Sequence, residues 1–356
     1  MATKWPAERG YAMPAEWAPH AATWLAWPEN RTDWPGKFAP IPWVYGELVR
    51  HLARHELVRL IVRDAGAEAR ARRLLGRAGT DLARVEFVRL VTDRGWLRDS
   101  GAIFVADARG RRLATTWRFN AWAKYDDWKR DARTADRMAK VAGTATFAPE
   151  LDGRRVVLEG GAIDVDGEGT LLATEECLLD EVQARNPGLG RAGTERVLAR
   201  GLGATKVIWL GKGIVGDDTH GHVDDLARFV GPGRVVLARE SRTSDENYPL
   251  LEENRERLAG ARDAAGRRLE VIDLPMPAPL VLDGRRLPAS YANFYVANGV
   301  VLVPTFNDPA DRVALGVLAE CFTGRTVIGI HAVDLVWGLG TLHCMTQQEP
   351  AGLARR

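Results

Sequence analysis

Long apolar runs are absent from this sequence of 356 residues, and cysteine is scarce. No uninterrupted apolar stretch approaches the ~20 residues that a membrane-spanning helix needs, and residues 1–10 contain no apolar core of signal-peptide length. Three cysteines, an odd number in so long a chain, argue against a disulfide framework and for reduced thiols. We therefore expect a protein that stays in the cytoplasm.

A strong charge of either sign is also missing. The 49 basic and 47 acidic residues are interleaved and give a formal net charge of +2, so no basic stripe indicates nucleic acid or an anionic membrane. No low-complexity tract or Pro/Ser-rich linker divides the chain. With 46% hydrophobic and 27% charged residues, the composition is that of an ordinary globular protein. We expect one large domain, residues 1–356, that binds a small molecule.

Short β-rich runs alternate with helical ones, which is the pattern of an α/β protein. Strands are predicted at 58–62 and 85–90, on either side of a helix at 66–76. The recurrence suggests a repeated strand–strand–helix–strand unit. The charged segment 126–133 is expected to be a solvated helical face. Further predicted elements are helices at about 126–141, 192–202, 250–268 and 309–322, and a hairpin that joins 155–165 to 170–174.

Two motif-like segments have simpler structural interpretations. Residues 188–193 match the dinucleotide fingerprint GxGxxG, but Arg185-Asn186-Pro187 precede them instead of a strand. We predict a loop followed by a helix capped by Thr194. Residues 164–175 have the acid spacing of a calcium loop, but their flanks are predicted strands. We predict the turn of a β-hairpin at Asp166-Gly167, with solvent-exposed acids around it.

Cys344 lies in a glycine-rich polar segment, residues 338–350, unlike the other two cysteines. Cys177 and Cys321 have the apolar, helix-like surroundings of packed thiols. The glycines before Cys344 permit close backbone approach to a ligand, and a thiolate there can attack an electrophilic carbon. We therefore predict that Cys344 is a nucleophile rather than a buried structural thiol.

The densest polar cluster is residues 217–225, which contain two histidines and four carboxylates. A strand that begins at His220 would place His220, His222 and Asp224 on one face. Two interpretations stay open. The three residues can bind a metal ion that activates water. Alternatively, His222 acts as acid and base in cysteine chemistry and Asp224 binds a cation.

Asp99 and Glu159 each lie beside glycine at the end of an apolar run, where a carboxylate can face a pocket. Taken alone, Asp99 could cap a turn and Glu159 could pair with an arginine. The aromatic runs 24–27 and 117–122 supply candidate pocket walls. A pocket with acidic and aromatic walls suits a cation.

Eight short segments, spread in order over nearly the whole chain, carry a family resemblance. They are MPAEW at 13–17, TWLAWP at 23–28, RDSG at 98–101, FNAW at 119–122, LEGG at 158–161, GHVD at 221–224, NFY at 293–295 and HCMTQQEP at 343–350. Together they closely resemble the agmatine deiminase family, which is grouped with Porphyromonas-type peptidylarginine deiminases in the guanidine-modifying superfamily. The resemblance implies a five-bladed α/β propeller (pentein) of pseudo-fivefold ββαβ repeats with a central active site.

The same resemblance implies a role for five residues. Cys344 would be the nucleophile and His222 the acid/base, with Glu159 as its orienting partner. Asp99 and Asp224 would clamp the guanidinium, whose planar N–H groups can form forked hydrogen bonds that fix the central carbon for attack. The implied reaction is hydrolysis of agmatine to N-carbamoylputrescine and ammonia through an S-alkylthiouronium intermediate, with no metal and no organic cofactor.

Other residues are expected to contact the rest of the substrate. Trp96 and Asp218 would line the pocket near the alkyl chain or the amine, and Asn293 would be a further contact. Two departures affect this region: Ala123 stands where the family commonly has glycine, and His220 where it commonly has aspartate. Both bear on how the far end of the substrate is recognised.

Three alternatives therefore stay open. One is a deiminase for another guanidine, such as free or peptidyl arginine. A second is a metal-dependent hydrolase that uses His220, His222 and Asp224, and a third is a noncatalytic guanidine-binding protein. By family analogy a homo-oligomer is also expected.

Overall fold

The computed structural model describes residues 4–352. Residues 1–3 and 353–356 lie outside the described part of the chain. The prediction of one domain over residues 1–356 is therefore not described at its two ends, and neither is the start of the segment 1–10. Short strands and helices alternate along the chain, as predicted. The fold is therefore of the mixed α/β class.

Five sheets of three or four strands organise residues 4–352. Each contains an antiparallel pair of strands and a parallel pair that is joined through a helix. This is the predicted strand–strand–helix–strand order. The strands, in their spatial order in each sheet, are Gln347–Pro350, His20–Ala26, Leu57–Val62 and Val85–Arg89; Tyr11–Ala12, Ile103–Asp107, Arg112–Thr115 and Ala145–Phe147; Asp164–Val165, Thr170–Thr174 and Lys206–Leu210; Ala227–Gly231, Arg234–Arg239 and Glu270–Pro275; and Tyr295–Ala297, Val300–Thr305 and Thr326–His331.

Helices and short ribbons complete the described part of the chain. The α-helices are Ile41–Leu52, Ala65–Arg77, Leu97–Ser100, Thr134–Val141, Glu175–Leu179, Gly190–Leu202, Asn247–Leu258, Pro309–Cys321 and Leu342–Met345. The 3₁₀ turns are Ala7–Arg9, Arg31–Asp33, Leu82–Arg84, Ala121–Ala123, Asp131–Arg133, Gly160–Ala162, Val223–Asp225 and Leu335–Gly338. The two-stranded ribbons are Glu150–Leu151 with Arg154–Arg155 and Val281–Leu282 with Arg285–Arg286. Within residues 4–352, every helix is too short or too polar to cross a bilayer.

The N-terminal and C-terminal parts of the chain meet in one sheet. Gln347–Pro350 pairs antiparallel with His20–Ala26, so that Gln348 lies opposite Thr23. Leu57–Val62 lies parallel on the other side of His20–Ala26. The near-continuous burial of His20–Ala26 suits this central position.

Helix boundaries follow local signals at some positions only. Asp308 forms a capping box with Asp311, so the predicted helix 309–322 begins as expected at Pro309. The helix predicted at 250–268 spans Asn247–Leu258 instead, because the backbone becomes extended at Ala259.

The segment 188–193 leads into a helix, as predicted, but the predicted cap is wrong. The helix begins at Gly190. Thr194 lies inside it, where its hydroxyl donates a hydrogen bond to the carbonyl of Gly190 over 2.9 Å. Thr194 therefore bonds back along the helix instead of capping its start.

The charged segment 126–133 is mostly exposed, as predicted, but it is not an α-helix and one of its acids is buried. An α-helix begins only at Thr134. Asp131 is 1% exposed, and its carboxylate accepts hydrogen bonds from the backbone N–H groups of Asp93 (2.7 Å) and Arg94 (3.0 Å). This acid therefore anchors a loop.

The hairpin turn predicted at Asp166-Gly167 is confirmed. Asp164–Val165 and Thr170–Thr174 pair antiparallel around it, and Asp166 Oδ1 accepts a hydrogen bond from the backbone N–H of Thr170 (2.9 Å). Asp164 and Asp166 are buried, which corrects the prediction for these two acids, whereas Glu168 is exposed as predicted. Asp164 is buried because it binds the Nε of Arg228 over 3.0 Å.

Four short turns meet where the sheets converge. Leu97–Ser100 contacts both Leu342–Met345 and Gly160–Ala162, which in turn contacts Val223–Asp225. The buried apolar side chains of the described residues form four separate clusters. Each turn contributes apolar side chains to one of these clusters, but the turns and the residues next to them also carry buried polar side chains, including Asp99, Glu159, His222 and Asp224, so the meeting point is a buried polar centre.

Candidate active site

The candidate residues share one position in the repeated unit. Each lies a few residues before a strand, and these five strands belong to five different sheets. The residues are Asp99, Glu159, Asp224, Asn293 and Cys344. The repetition of one local arrangement thus brings side chains from distant parts of the sequence into one buried cluster.

Cys344 lies in the turn Leu342–Met345 and is 6% exposed. Asn293 Nδ2 donates a hydrogen bond to its Sγ over 3.1 Å, and Asp224 Oδ2 lies 3.8 Å from the same sulfur. Burial raises the pKa of Cys344 well above its ordinary value, the carboxylates Asp224 and Asp225 add to the rise, and Asn293 opposes it. A cation among these carboxylates would therefore favour the thiolate.

Asp99 is almost fully buried in the turn Leu97–Ser100. Its Oδ2 accepts a hydrogen bond from Trp122 Nε1 (2.9 Å), and its Oδ1 accepts one from the backbone N–H of Gly161 (3.2 Å). Burial, helped by the charge of Asp224 and opposed by that of His222, raises the pKa of Asp99 from 3.8 to about 6. The ionised carboxylate is thus costly in the empty site and would gain from a bound cation.

Asp224 is fully buried and has one oxygen available. Its Oδ2 lies 2.6 Å from His343 Nδ1, whereas its Oδ1 has no hydrogen-bond partner among residues 4–352. The same Oδ1 lies 4.0 Å from His222 Nδ1. Burial would raise the pKa of Asp224, but the hydrogen bond and charge of His343 lower it. Asp224 is therefore ionised.

His222 lies between the two acids. Its Nδ1 is 3.8 Å from Asp99 Oδ1, and neither ring nitrogen has a hydrogen-bond partner in the described part of the chain. Burial would lower the pKa of His222, but Asp99, Cys177 and Asp224 together raise it well above its ordinary value. The imidazole is therefore protonated in the free protein and can donate a proton.

Glu159 is fully buried and pairs with an arginine, which was one of the two interpretations that the sequence left open. Its Oε1 accepts a hydrogen bond from Arg185 Nε (3.0 Å), and its Oε2 has no partner among residues 4–352. Cys177 packs in an apolar cluster, as predicted. Glu159, Cys177 and His222 also each place one polar atom within 4.8 Å of the other two, so this buried thiol adjoins the acid and the histidine.

Two glycines permit this close packing. A Cβ on Gly161 would lie 2.4 Å from His222 Nδ1 and 3.0 Å from Asp99 Oδ1. A Cβ on Gly340 would lie 3.3 Å from Cys344 Sγ. Any larger residue at Gly161 would displace the site.

A cavity of about 260 Å³ reaches Cys344 and Asp99. Trp96 and Trp122 line it with their buried rings. Asp218 also lines it, so the structure brings both Trp96 and Asp218 to the cavity. Their contacts with a substrate stay predictions.

The cavity has cationic as well as acidic residues in its wall. Arg94 and Arg285 line it together with Asp218. Asp218 already binds three donors, since its carboxylate accepts hydrogen bonds from Lys124 Nζ and the Tyr125 hydroxyl and lies 3.5 Å from Arg285 Nη2. This acid is therefore largely neutralised by its own neighbours.

Comparison with known proteins decides the family of this site. Residues 12–350 match the model of the Porphyromonas-type peptidyl-arginine deiminases. The chain belongs to this family. It is 39% identical to the agmatine deiminase of Stutzerimonas stutzeri over 99% of both chains. The resemblance inferred from the eight segments is thus confirmed.

Solved structures of family members have the same fold. The agmatine deiminase of Enterococcus faecalis superposes with a TM-score of 0.92 at 31% identity over 99% of both chains. A cysteine-to-serine variant of the C. jejuni agmatine deiminase with substrate bound gives a TM-score of 0.84 at 29% identity, over 96% of this chain and 97% of that one.

The geometry does not support the alternative metal site, because His220 does not join His222 and Asp224 among the described residues. The backbone turns at His220, whose φ is 64°, and the following strand begins only at Ala227. His220 Nε2 lies 3.5 Å from Asp180 Oδ2 instead. The alternation that would have placed the three residues on one face is therefore absent from this segment.

Two other groups of residues have the right atoms to bind a metal ion. They are Glu159 with Cys177 and His222, and Asp224 with Asp225 and Cys344. In the first group Arg185 already pairs with Glu159. In the second, His343 binds Asp224, and burial with the charges of Asp224 and Asp217 raises the pKa of Asp225 well above its ordinary value. The protein's own groups thus balance the charge that would attract a divalent cation.

Asn293 supports the nucleophile instead of lining the cavity, which corrects its predicted substrate contact. Its Nδ2 donates hydrogen bonds to Cys344 Sγ (3.1 Å) and Asp225 Oδ1 (3.0 Å). Its Oδ1 accepts hydrogen bonds from Thr341 Oγ1 (2.8 Å) and the backbone N–H of His343 (3.0 Å). The amide is fully occupied and has no donor or acceptor left for a ligand.

The sequence analysis did not identify three residues of the site, namely Arg185, Asp225 and His343. His343 lies inside one of the eight family segments and Asp225 directly follows another, so their position could have marked them as candidates. Arg185 lies in a loop segment with no such signal, since only its contact with Glu159 reveals it.

Proposed function

We propose that this chain hydrolyses agmatine to N-carbamoylputrescine and ammonia, with Cys344 as the nucleophile. The observation that carries the proposal is the single buried cluster of a thiol, an imidazole and two carboxylates at the end of a cavity. Asp224 Oδ2 lies 3.8 Å from Cys344 Sγ, and His222 Nδ1 lies 3.8 Å from Asp99 and 4.0 Å from Asp224. Full-length similarity to agmatine deiminases supports the same activity.

Asp99 and Asp224 clamp the guanidinium. The substrate is a planar cation, and its N–H groups suit the unpartnered Asp224 Oδ1 and the buried Asp99 carboxylate. The clamp holds the central carbon in reach of Cys344 Sγ, which turns attack into an intramolecular step. The bound charge also offsets the carboxylates that hold the pKa of Cys344 high, so binding promotes the thiolate.

The first half of the reaction forms a bond from Cys344 Sγ to the guanidinium carbon. The resulting tetrahedral species breaks its bond to one terminal nitrogen. His222, which is protonated because Asp99 and Asp224 outweigh the effect of its burial, donates a proton to that nitrogen. Ammonia leaves, and an S-alkylthiouronium cation stays on Cys344 between the two carboxylates.

Water completes the reaction. His222, now neutral, accepts a proton from the water that attacks the thiouronium carbon. Collapse of the second tetrahedral species forms the C=O bond, breaks the C–S bond and returns the electron pair to Cys344, while the hydroxyl proton passes to solvent. Glu159, fixed by Arg185, has a carboxylate oxygen within 4.8 Å of a ring nitrogen of His222, and we assign it the role of orienting that ring. The neutral urea product lacks the charge that held the substrate and is released.

Free arginine is the second candidate substrate, and one observation favours it. Arg94 and Arg285 line the cavity, while Asp218 is already bound by Lys124 and Tyr125. Such a wall suits a carboxylate at the far end of the substrate at least as well as an amine.

The finer arrangement of the fold is part of the same proposal. The five strand–strand–helix–strand units support a five-bladed propeller, or pentein, with the cluster at its pseudo-fivefold axis. We also propose one catalytic domain, a cytoplasmic location and assembly into a homo-oligomer. The similarity to the agmatine deiminase of Stutzerimonas stutzeri covers 99% of both chains, which supports the single domain.

The test is ammonia release with mass-spectrometric identification of products from agmatine, arginine and an arginyl peptide. Cys344→Ala is compared with wild type after metal chelation. Cys321→Ala, which changes a partly exposed thiol at the end of the helix Pro309–Cys321, is the matched control.

Turnover of agmatine that survives chelation, persists in Cys321→Ala and vanishes in Cys344→Ala supports the proposal. If the protein prefers arginine, arginine replaces agmatine as the proposed substrate, and the proposed role of Cys344 as nucleophile is unchanged. Turnover in Cys344→Ala, or its loss on chelation, would overturn the nucleophile assignment.

A further inference from the structure

His343, the residue before the nucleophile, lies between two carboxylates. It is 1% exposed. Its Nδ1 is 2.6 Å from Asp224 Oδ2, and its Nε2 is 2.7 Å from Glu16 Oε2. Both ring nitrogens therefore face oxygen atoms at the distance of a strong hydrogen bond.

The protonation state of His343 follows from this geometry. A neutral imidazole has one N–H, so one of its nitrogens would turn a lone pair toward a carboxylate. That contact is attractive only if the carboxyl group carries the proton. Neither acid depends on His343 for a cationic neighbour, because Glu16 is ion-paired with Arg228 (2.9 Å) and Arg98 (3.2 Å) and Asp224 Oδ1 lies 4.0 Å from His222 Nδ1. Both acids are ionised, so both nitrogens of His343 donate.

A charge count of the surrounding network leads to the same state. The buried network consists of Glu16, Asp164, Asp224, Arg98, Arg228 and His343. It contains three carboxylates and two guanidinium groups. A protonated His343 makes this network neutral, whereas a neutral ring would leave it one net negative charge, offset only by His222, which also faces Asp99; a buried net charge of this kind is costly.

We propose that His343 is a positioning residue, a permanent imidazolium that holds Asp224 Oδ2 and thereby aims Asp224 Oδ1 at the guanidinium. Asp224 Oδ1 is the oxygen without a partner in residues 4–352. The role assigned to the free oxygen rests on the proposed deiminase function. The double protonation of the ring does not depend on it.

The position of His343 next to Cys344 couples two parts of the site. Both residues belong to the four-residue helix Leu342–Met345. The backbone N–H of His343 also donates to Asn293 Oδ1 (3.0 Å), whose amide nitrogen donates to Cys344 Sγ. One short turn therefore sets the direction of the nucleophile and, through the imidazolium, that of the clamp.

The direct test is the ¹H–¹⁵N spectrum of the histidine side chains of the wild-type protein between about pH 6 and 9. The chain has 7 histidines, and loss of signals in His343→Asn assigns the ring. His331→Asn, at an exposed strand end, is the matched control for assignment and activity. We expect both nitrogens of His343 to carry protons throughout this range.

The kinetic test separates positioning from a merely structural role. In His343→Asn the side-chain amide can still donate to Asp224, but the positive charge and the bond to Glu16 are lost. We expect KM for agmatine to rise more than kcat falls, with kcat/KM reduced roughly 10- to 100-fold, at an unchanged rate of Cys344 alkylation by iodoacetamide.

Two results would overturn the proposal. One is a wild-type spectrum with a single protonated nitrogen on His343. The other is a His343→Asn variant with native melting temperature whose KM and kcat stay within about twofold of wild type. If His343→Asn does not fold, through-bond correlation of the ring with its own backbone amide assigns His343 in the wild-type spectrum, and that spectrum decides. If wild type turns over no guanidine, the deiminase function fails, while the spectrum still tests the imidazolium.

Discussion

Replacement of Asp99 by Asn is expected to change activity and stability in opposite directions. In the proposed complex, the Asp99 carboxylate accepts two charge-assisted hydrogen bonds from the guanidinium. Each such bond contributes about 1.5–3 kcal/mol, so their loss costs about 3–6 kcal/mol of transition-state stabilisation. We therefore expect kcat/KM to fall roughly 10²- to 10⁴-fold in Asp99→Asn.

The effect on stability follows from the pKa of the same group. Burial, with the charges of Asp224 and Glu159, raises the pKa of Asp99 from 3.8 to about 6 on folding. The folded protein thus binds this proton more tightly, and ionisation above about pH 6 costs about 3 kcal/mol of stability. Asn removes that cost.

The Asn side chain brings one penalty of its own. Its NH₂ group must face either Trp122 Nε1 or the N–H of Gly161, where Asp99 had only acceptors. A buried donor without a partner costs about 1–3 kcal/mol. The free energy of unfolding of Asp99→Asn at pH 8 is therefore expected to equal that of wild type or exceed it by up to about 2 kcal/mol.

The assay combines the pH dependence of kcat/KM with urea unfolding. Urea is chosen because guanidinium chloride carries the group that the site is proposed to bind. Wild-type kcat/KM should fall as pH drops below about 6, where Asp99 takes up its proton, and the variant should lack this limb. The matched control is Asp127→Asn, because Asp127 is a half-exposed acid that pairs with Arg94. A kcat/KM within about fivefold of wild type, or a stability loss above about 2 kcal/mol, would refute the reasoning.

Two further changes test the support of the site. Arg185→Met leaves Glu159 as an unpaired buried charge and should lower the free energy of unfolding in urea by about 3–5 kcal/mol. The double variant with Glu159→Gln should recover part of this stability. A loss below about 1 kcal/mol in Arg185→Met would contradict the importance of the ion pair. Trp122→Phe removes the N–H that lowers the pKa of Asp99, so the acid limb of kcat/KM should move to higher pH; an unmoved limb would show that this hydrogen bond does not act on Asp99.

Local elements of the fold were predictable where the signal is local. The strands at 58–62 and 85–90 and the helix at 66–76 lie within one or two residues of the observed Leu57–Val62, Val85–Arg89 and Ala65–Arg77. Their apolar runs and spacing are complete within each segment. The charged segment 126–133 was misread, because the burial of Asp131 depends on backbone N–H groups from a different loop.

The candidate site was predictable as a set of residues but not as a geometry. Cys344, His222, Asp99 and Asp224 could be named because polar residues in glycine-rich turns are visible along the chain. The partners that set their charge could not, since Arg185 reaches Glu159 and His343 reaches Asp224 only after the sheets converge.

One misreading has a clear physical cause. Strand alternation at His220 failed because a left-handed residue turns the backbone there. Cys177 packs among apolar residues, as predicted, but its position near Glu159 and His222 arises only in the folded chain and has no local signal in the sequence.

Covalent attachment of substrate to Cys344 is the central claim, and peptide mapping by mass spectrometry tests it most directly. Wild-type protein is quenched in acid during steady-state turnover of agmatine and digested. The account predicts that the peptide with Cys344, and neither the peptide with Cys177 nor that with Cys321, gains the mass of agmatine less one ammonia. An adduct on another cysteine, or turnover by Cys344→Ala without any adduct, would contradict it.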